Sequence, residues 1–159
     1  MMDMRLGWSE LASRAPDAPH VLVVDDDARI RRAFARLLGD FGYRYRMAAS
    51  AEEAESWLSA IDFDVVLLDI QLPRMNGIEF LVSALDRYPE LPIIMLTALE
   101  ELDVAVECLQ TGARSYLLKP IQPGFLKLAI DDAMVLGHLL ADRNDLAAGG
   151  QKVLSEASA

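Results

Sequence analysis

The sequence has a single cysteine, Cys108, among 159 residues. That excludes an internal disulfide and a metal site built on clustered thiolates, and a reducing cytoplasm is the expected setting. Histidine is almost as scarce, His20 and His138 only, so a metal held elsewhere in the chain must rely on oxygen ligands. No apolar run approaches the roughly 20 residues that span a bilayer. The opening MMDMRLGWSELASRAPDAP is interrupted by Asp3, Arg5 and Glu10, where a signal peptide would be continuously apolar. Positive charge is in deficit: 15 basic residues against 25 acidic ones leave a net charge of −10. Direct binding to the phosphates of nucleic acid is therefore not expected.

Apolar residues, by contrast, make up 53% of the chain, enough for the core of one ordinary domain. Residues 1–19 end in RAPDAP and read as an N-terminal leader, in which Trp8 and Leu11 are the residues able to dock on something. From residue 20 a regular alternation begins. HVLVV, YRYRMAA, DVVLLD, LPIIMLTA and ARSYLLKP read as five strands, the second placed near a sheet edge by its alternating arginines. Between and after them lie five amphipathic helical stretches. The first carries Ile30, Ala33, Phe34, Leu37 and Leu38 and is closed by Gly39 or Gly42; the second opens on a Ser50/Glu53 capping box; the fourth ends at Gly112. The last begins near Pro123 and continues an apolar stripe through Val135, Leu136, Leu139 and Leu140 toward Asn144 or Leu146. Aliphatic strands alternating with helices predict an α/β domain: a doubly wound, five-stranded parallel sheet with helices on both faces and an extended last helix. The domain spans residues 20–142, and 143–159 reads as a C-terminal tail or linker.

In such a fold the ligand site lies beyond the carboxyl ends of the strands. Those ends carry Asp25, Asp26 and Asp27 after strand one, Asp69 after strand three, Thr97 and Ala98 after strand four, and Lys119 and Pro120 after strand five. Carboxylates converging from separate strands require a cation, and an all-oxygen set suits Mg²⁺. Beside a metal and a lysine, a lone strand-end carboxylate is suited to accept a phosphoryl group, which a threonine hydroxyl can then contact.

The segments VLVVDDDARIRR, VVLLDIQLPRMNG, IIMLTA and GARSYLLKP, in this order, closely resemble the receiver domain of bacterial two-component response regulators, of the chemotaxis-regulator-like type, over about residues 19–142. The resemblance implies that Asp69 is the phosphoacceptor and that Asp25 and Asp26 are the acidic pair, Asp26 on Mg²⁺ directly and Asp25 through water. It implies that Gln71 offers its backbone carbonyl to the metal, and that Lys119, with Thr97 and Ala98, binds the phosphoryl group. Thr97 and Tyr116 would be the switch pair, Pro120 a cis-proline, and Gly77 the residue allowing the turn after the PRMNG loop. The implied donor is a sensor histidine kinase or a histidine phosphotransfer protein. The implied output is a change on the surface of the fourth helix, fifth strand and last helix, where, or along the extended last helix, a homodimer can form.

Asp27 is the spare acid and reads as the cap of the first helix. Cys108 reads as core filler, and His20 and His138 as residues without a chemical role. Two other functions fit parts of the pattern. A phosphatase of the haloacid dehalogenase type would use Asp25 and Asp27 as its Asp-x-Asp pair, but its final acids should follow a strand, whereas Asp131 and Asp132 fall within a helix. A receiver-like binding module that takes no phosphate is the third reading, although every residue expected of a phosphorylated one is present.

Overall fold

The computed structural model describes residues 18–137 and residue 139. The strands are β1 (His20–Val24), β2 (Arg44–Ala48), β3 (Val65–Asp69), β4 (Ile93–Thr97) and β5 (Ser115–Leu118). The helices are α1 (Ala28–Asp40), α2 (Ala51–Ala60), α3 (Gly77–Arg87), α4 (Leu102–Thr111, preceded by a 3₁₀ turn at Leu99–Glu101) and α5, helical over 123–137. The leader expected at 1–19 falls almost wholly outside the described residues. So do His138, the continuation of the last helix past 139 and the tail expected at 143–159.

All strand pairings are parallel, in the order β2-β1-β3-β4-β5. The chain steps from β1 to one side for β2, then returns past β1 for β3, so the direction of winding reverses between β1 and β3. A crevice opens at such a reversal beyond the strands' carboxyl ends, and Asp25 and Asp69 stand on its two sides.

Side-chain alternation splits the core into two layers. Leu22, Val24, Val66, Leu68, Ile93 and Met95 face α2, α3 and α4. Val21, Val23, Val65, Leu67, Ile94 and Leu96 face α1 and α5, where Phe34, Leu38, Leu126, Ile130 and Ala133 close over them. Residues of β1, β3 and β4 are buried throughout because both faces of these strands are covered. The outer strands differ: Arg46 on β2 and Tyr116 and Leu118 on β5 are exposed.

The helix ends follow local chemistry. Asp27 caps α1, its carboxylate accepting from the Arg29 N–H at 2.8 Å. At the other end Gly42, not Gly39, is the terminator. It takes φ 80°, while Tyr43 N–H reaches the Leu38 carbonyl and Gly42 N–H the Gly39 carbonyl, the paired bonds of a Schellman motif. Ser50 caps α2 by accepting from Glu53 N–H at 3.2 Å, and Glu53 reaches back to the Ala49 N–H at 2.8 Å. Cys108 is fully buried under α4, as expected of a core filler.

Candidate functional site

Three carboxylates meet at the crevice. One oxygen from each of Asp25, Asp26 and Asp69 lies within 4.8 Å of the others. Asp25 is fully buried and Asp69 is 6% exposed, whereas Asp26 stands in solvent at the rim. Lys119 bridges the two buried acids, its Nζ 3.2 Å from Asp25 Oδ2 and 3.1 Å from Asp69 Oδ2. The remaining oxygens of these two acids are held by backbone. Asp27 N–H donates to Asp25 Oδ1 at 2.9 Å, and Gln71 N–H to Asp69 Oδ1 at 3.1 Å. The site opens to solvent through a depression of about 380 Å³ lined also by Leu72 and Pro73.

The electrostatics show what this arrangement lacks. Burial, reinforced by Asp25, pushes the Asp69 carboxyl up to about 6, against the opposing pull of the Gln71 amide and Lys119. Burial also disfavours the Lys119 ammonium, but the two carboxylates outweigh it and hold its pKa above the usual lysine value. One ammonium thus does not offset the burial of Asp69, and a divalent cation among three carboxylate oxygens would complete the balance.

Strand ends deliver the other expected residues to the same rim. Thr97 is fully buried, its hydroxyl donating to the Ala98 carbonyl at 3.0 Å, and Lys119 N–H bonds the Thr97 carbonyl at 2.7 Å. The Lys119–Pro120 peptide is cis. Tyr116 lies two residues before Leu118, the partner of Thr97 in the ladder, and its ring is 39% exposed on the outer edge of β5. It is therefore not in contact with the acids.

Gly77 is required for a different reason than the turn expected of it. Its φ is not positive; the left-handed residue of this loop is Arg74, at φ 70°. A Cβ at Gly77 would lie 2.4 Å from the Asp69 carbonyl oxygen and 2.7 Å from Ile70 Cα. The start of α3 packs directly on the backbone of Asp69, and Gly77 N–H donates to the Ile70 carbonyl at 2.7 Å. Met75 of the same loop packs partly buried against the core.

Sequence reasoning did not single out Arg31, whose guanidinium donates to the Asp25 backbone carbonyl at 2.8 Å and straps the end of β1. Its signal was the triplet of arginines in DARIRR, which does not say which one turns inward. Asp27 is committed to α1 and to Arg29, 3.3 Å away. Asp131 and Asp132 sit on α5, the first bonded to Tyr43 and Lys127 and the second to Arg114. The acids that a haloacid dehalogenase-type phosphatase would need are therefore occupied elsewhere, and that reading finds no support.

Comparison with known proteins agrees with this geometry. The family model described as response regulator receiver domain matches residues 21–131. The alginate biosynthesis transcriptional regulatory protein AlgB of Pseudomonas aeruginosa is 36% identical over 121 residues, which cover 76% of this chain and 27% of that protein. Among solved structures, NtrX from Brucella abortus superposes with a TM-score of 0.77 at 31% identity, covering 81% of this chain and 29% of that one. A CheY-like response regulator receiver domain protein from Methanospirillum hungatei gives a TM-score of 0.72 at 32% identity, covering 77% of this chain and 98% of that one. The chain spans about a quarter of the length of the curated relatives it matches.

Proposed function

The chain belongs to the response regulator receiver domain family of two-component signalling, and we propose that Asp69 is its phosphoacceptor and that Asp25, Asp26, Asp69 and the Gln71 carbonyl form a Mg²⁺ site. The observation that carries this reading is the Lys119 ammonium bridging two buried carboxylates while a third stands within 4.8 Å at an open rim. When bound, Mg²⁺ supplies positive charge to the equatorial oxygens of the phosphoryl group.

The rest is done by residues of the chain. Asp69 Oδ2, the oxygen that does not accept from the Gln71 amide, attacks the phosphorus of a partner's phosphohistidine. The P–O bond forms as the P–N bond breaks, and the imidazole leaves, taking up a proton from solvent. Lys119 moves its hydrogen bond from the carboxylate to a phosphoryl oxygen, and the Ala98 amide and Thr97 hydroxyl contact another. Thr97 must leave its bond to the Ala98 carbonyl to do so, and Tyr116 turns inward into the volume vacated, altering the α4-β5-α5 surface. The domain catalyses only its own phosphorylation and dephosphorylation.

A donor has a surface to meet. A groove of about 460 Å³ shares Asp27, Ile30 and Lys119 with the depression at the acids and is lined also by Arg29, Ala33, Leu37 and Ile121. An apolar groove beside the acceptor suits a helix of a histidine kinase or histidine phosphotransfer protein. A homodimer would use the outward residues of α4, β5 and α5. Val106, Leu118, Phe125, Leu128, Val135 and Leu139 are each more than 40% exposed, and on α5 they are spaced by three, seven and four residues, which keeps them on one helix face. With its net charge of −10 the chain itself is not a nucleic-acid binder. The domain occupies 20–142, joined to whatever output it serves, in cis or through protein contact, in the cytoplasm.

The test is intact mass after incubation with a small phosphodonor and Mg²⁺. We expect one added phosphoryl group on the wild type and none on Asp69→Ala. Addition that survives Asp69→Ala would move the acceptor elsewhere.

A further inference from the structure

The chain passes from β1 into α1 through Asp25, Asp26 and Asp27, and the backbone of this turn is held at each step. Asp25 N–H continues the ladder, donating to the Ala48 carbonyl at 3.0 Å. In a parallel ladder the Asp25 carbonyl would next accept from the N–H of Ser50. β2 stops at Ala48, however, and Ser50 caps α2, so the ladder ends short of that carbonyl. Arg31 takes the place of the strand: its Nη1 donates to the Asp25 carbonyl oxygen at 2.8 Å. The following peptide is held from the other side, Asp27 N–H donating to Asp25 Oδ1 at 2.9 Å.

Asp26 lies between these two peptides. Its carboxylate stands exposed at the rim, so its direction depends on the backbone that carries it more than on packing. Arg31 is placed for the task. Its N–H donates to the Asp27 carbonyl at 3.0 Å, one turn into α1, and helical side chains lean back toward the N-terminus. That lean brings the guanidinium to the end of β1. Arg29 is bonded to Asp27 instead, and Arg32 is exposed. We propose that Arg31 is a positioning residue for the cation site: by fixing the peptide between Asp25 and Asp26, it holds both carboxylates in the directions that bind Mg²⁺. This role rests on the reading of the three acids as a Mg²⁺ site.

Charge alone predicts the reverse. A guanidinium is permanently cationic. Bonded to the backbone of Asp25, it repels a divalent cation at the acids, so its removal would tighten binding. Positioning predicts that its removal loosens binding. The two effects differ in sign, and a Mg²⁺ titration separates them. Groups that orient a metal's ligands are typically worth about 10- to 100-fold in affinity. The adverse charge sets the expected net loss at the lower end of that range.

The test titrates Mg²⁺ into the full chain as wild type, Arg31→Met and Arg31→Lys. Binding is read from the amide shifts of Asp26 and Gln71 in proton–nitrogen correlation spectra, which also show that each variant is folded. Arg31→Met, similar in length and without a donor, should weaken Mg²⁺ binding about tenfold. Arg31→Lys keeps a charged donor and should recover most of that loss. Arg31→Gln, too short to reach the carbonyl, gives the same reading should Arg31→Met not fold. A neutral variant that binds Mg²⁺ as tightly as the wild type, or more tightly, overturns the proposal and leaves charge as the effect of Arg31. Equal losses in Arg31→Met and Arg31→Lys overturn it too, because the donor would then not matter. A wild type whose spectra ignore Mg²⁺ removes the metal site itself, and this role with it.

Discussion

Asp69 is held in a burial it does not tolerate well, and its titration should dominate the pH response of the metal-free protein. Its pKa is raised to about 6 from the ordinary 3.8, so between these values the folded state binds more protons than the unfolded one. Stability from this group is full below about pH 4, falls as the pH climbs through about 6, and is flat above. The loss can reach about 3 kcal/mol at ~1.4 kcal/mol per pKa step. Asp69→Asn should flatten that slope in urea titrations without divalent cation and be the more stable protein at neutral pH; a variant less stable than wild type there would contradict the crowding. Gly77→Ala is expected to cost roughly 2–3 kcal/mol by the same assay, because backbone atoms cannot yield to the new methyl. Both residues stood out in the sequence, but only the position of the acid, at the end of β3, was legible there. An aspartate ending an aliphatic strand announces its place through periodicity alone. The approach of Gly77 to the Asp69 carbonyl depends on how α3 returns across the sheet, and no local pattern encodes it.

The elements divide in the same way. Asp27 followed by a helical apolar period could be read as a cap, and the structure agrees; Asp27→Ala should destabilise the domain by about 1 kcal/mol in thermal melts, with the metal site unaffected. The five strands and the five helices could be read because each is longer than the ambiguity at its ends. The contacts tying α5 down could not. Tyr43, at the foot of α1, bonds Asp131, and Lys127 joins them at 3.3 Å from the Tyr43 hydroxyl and 2.7 Å from Asp131. These partners are 88 residues apart, beyond any local signal. His20 is another case. At the first position of a strand it looks unburdened, yet it is 6% exposed, and burial together with Arg44 and Arg46 holds its imidazole below the usual histidine range.

For the molecule as a whole, parallel order brings four strand ends to one edge, and a ligand there fastens strands distant in sequence. Millimolar Mg²⁺ should therefore raise Tm by mass action. Asp26→Asn, which alters an exposed side chain, should leave the metal-free Tm nearly unchanged while removing most of that rise; an undiminished rise would take Asp26 out of the site. The full burial of Cys108 offers a different kind of access. It is the chain's sole thiol, and it lies between α4 and the sheet with its pKa raised, first by burial and then by Glu107. A thiol reagent can reach it only when α4 lifts, so its labelling rate is a clock for that opening. Run with and without a phosphodonor, the unmodified protein would time the motion of its own output surface.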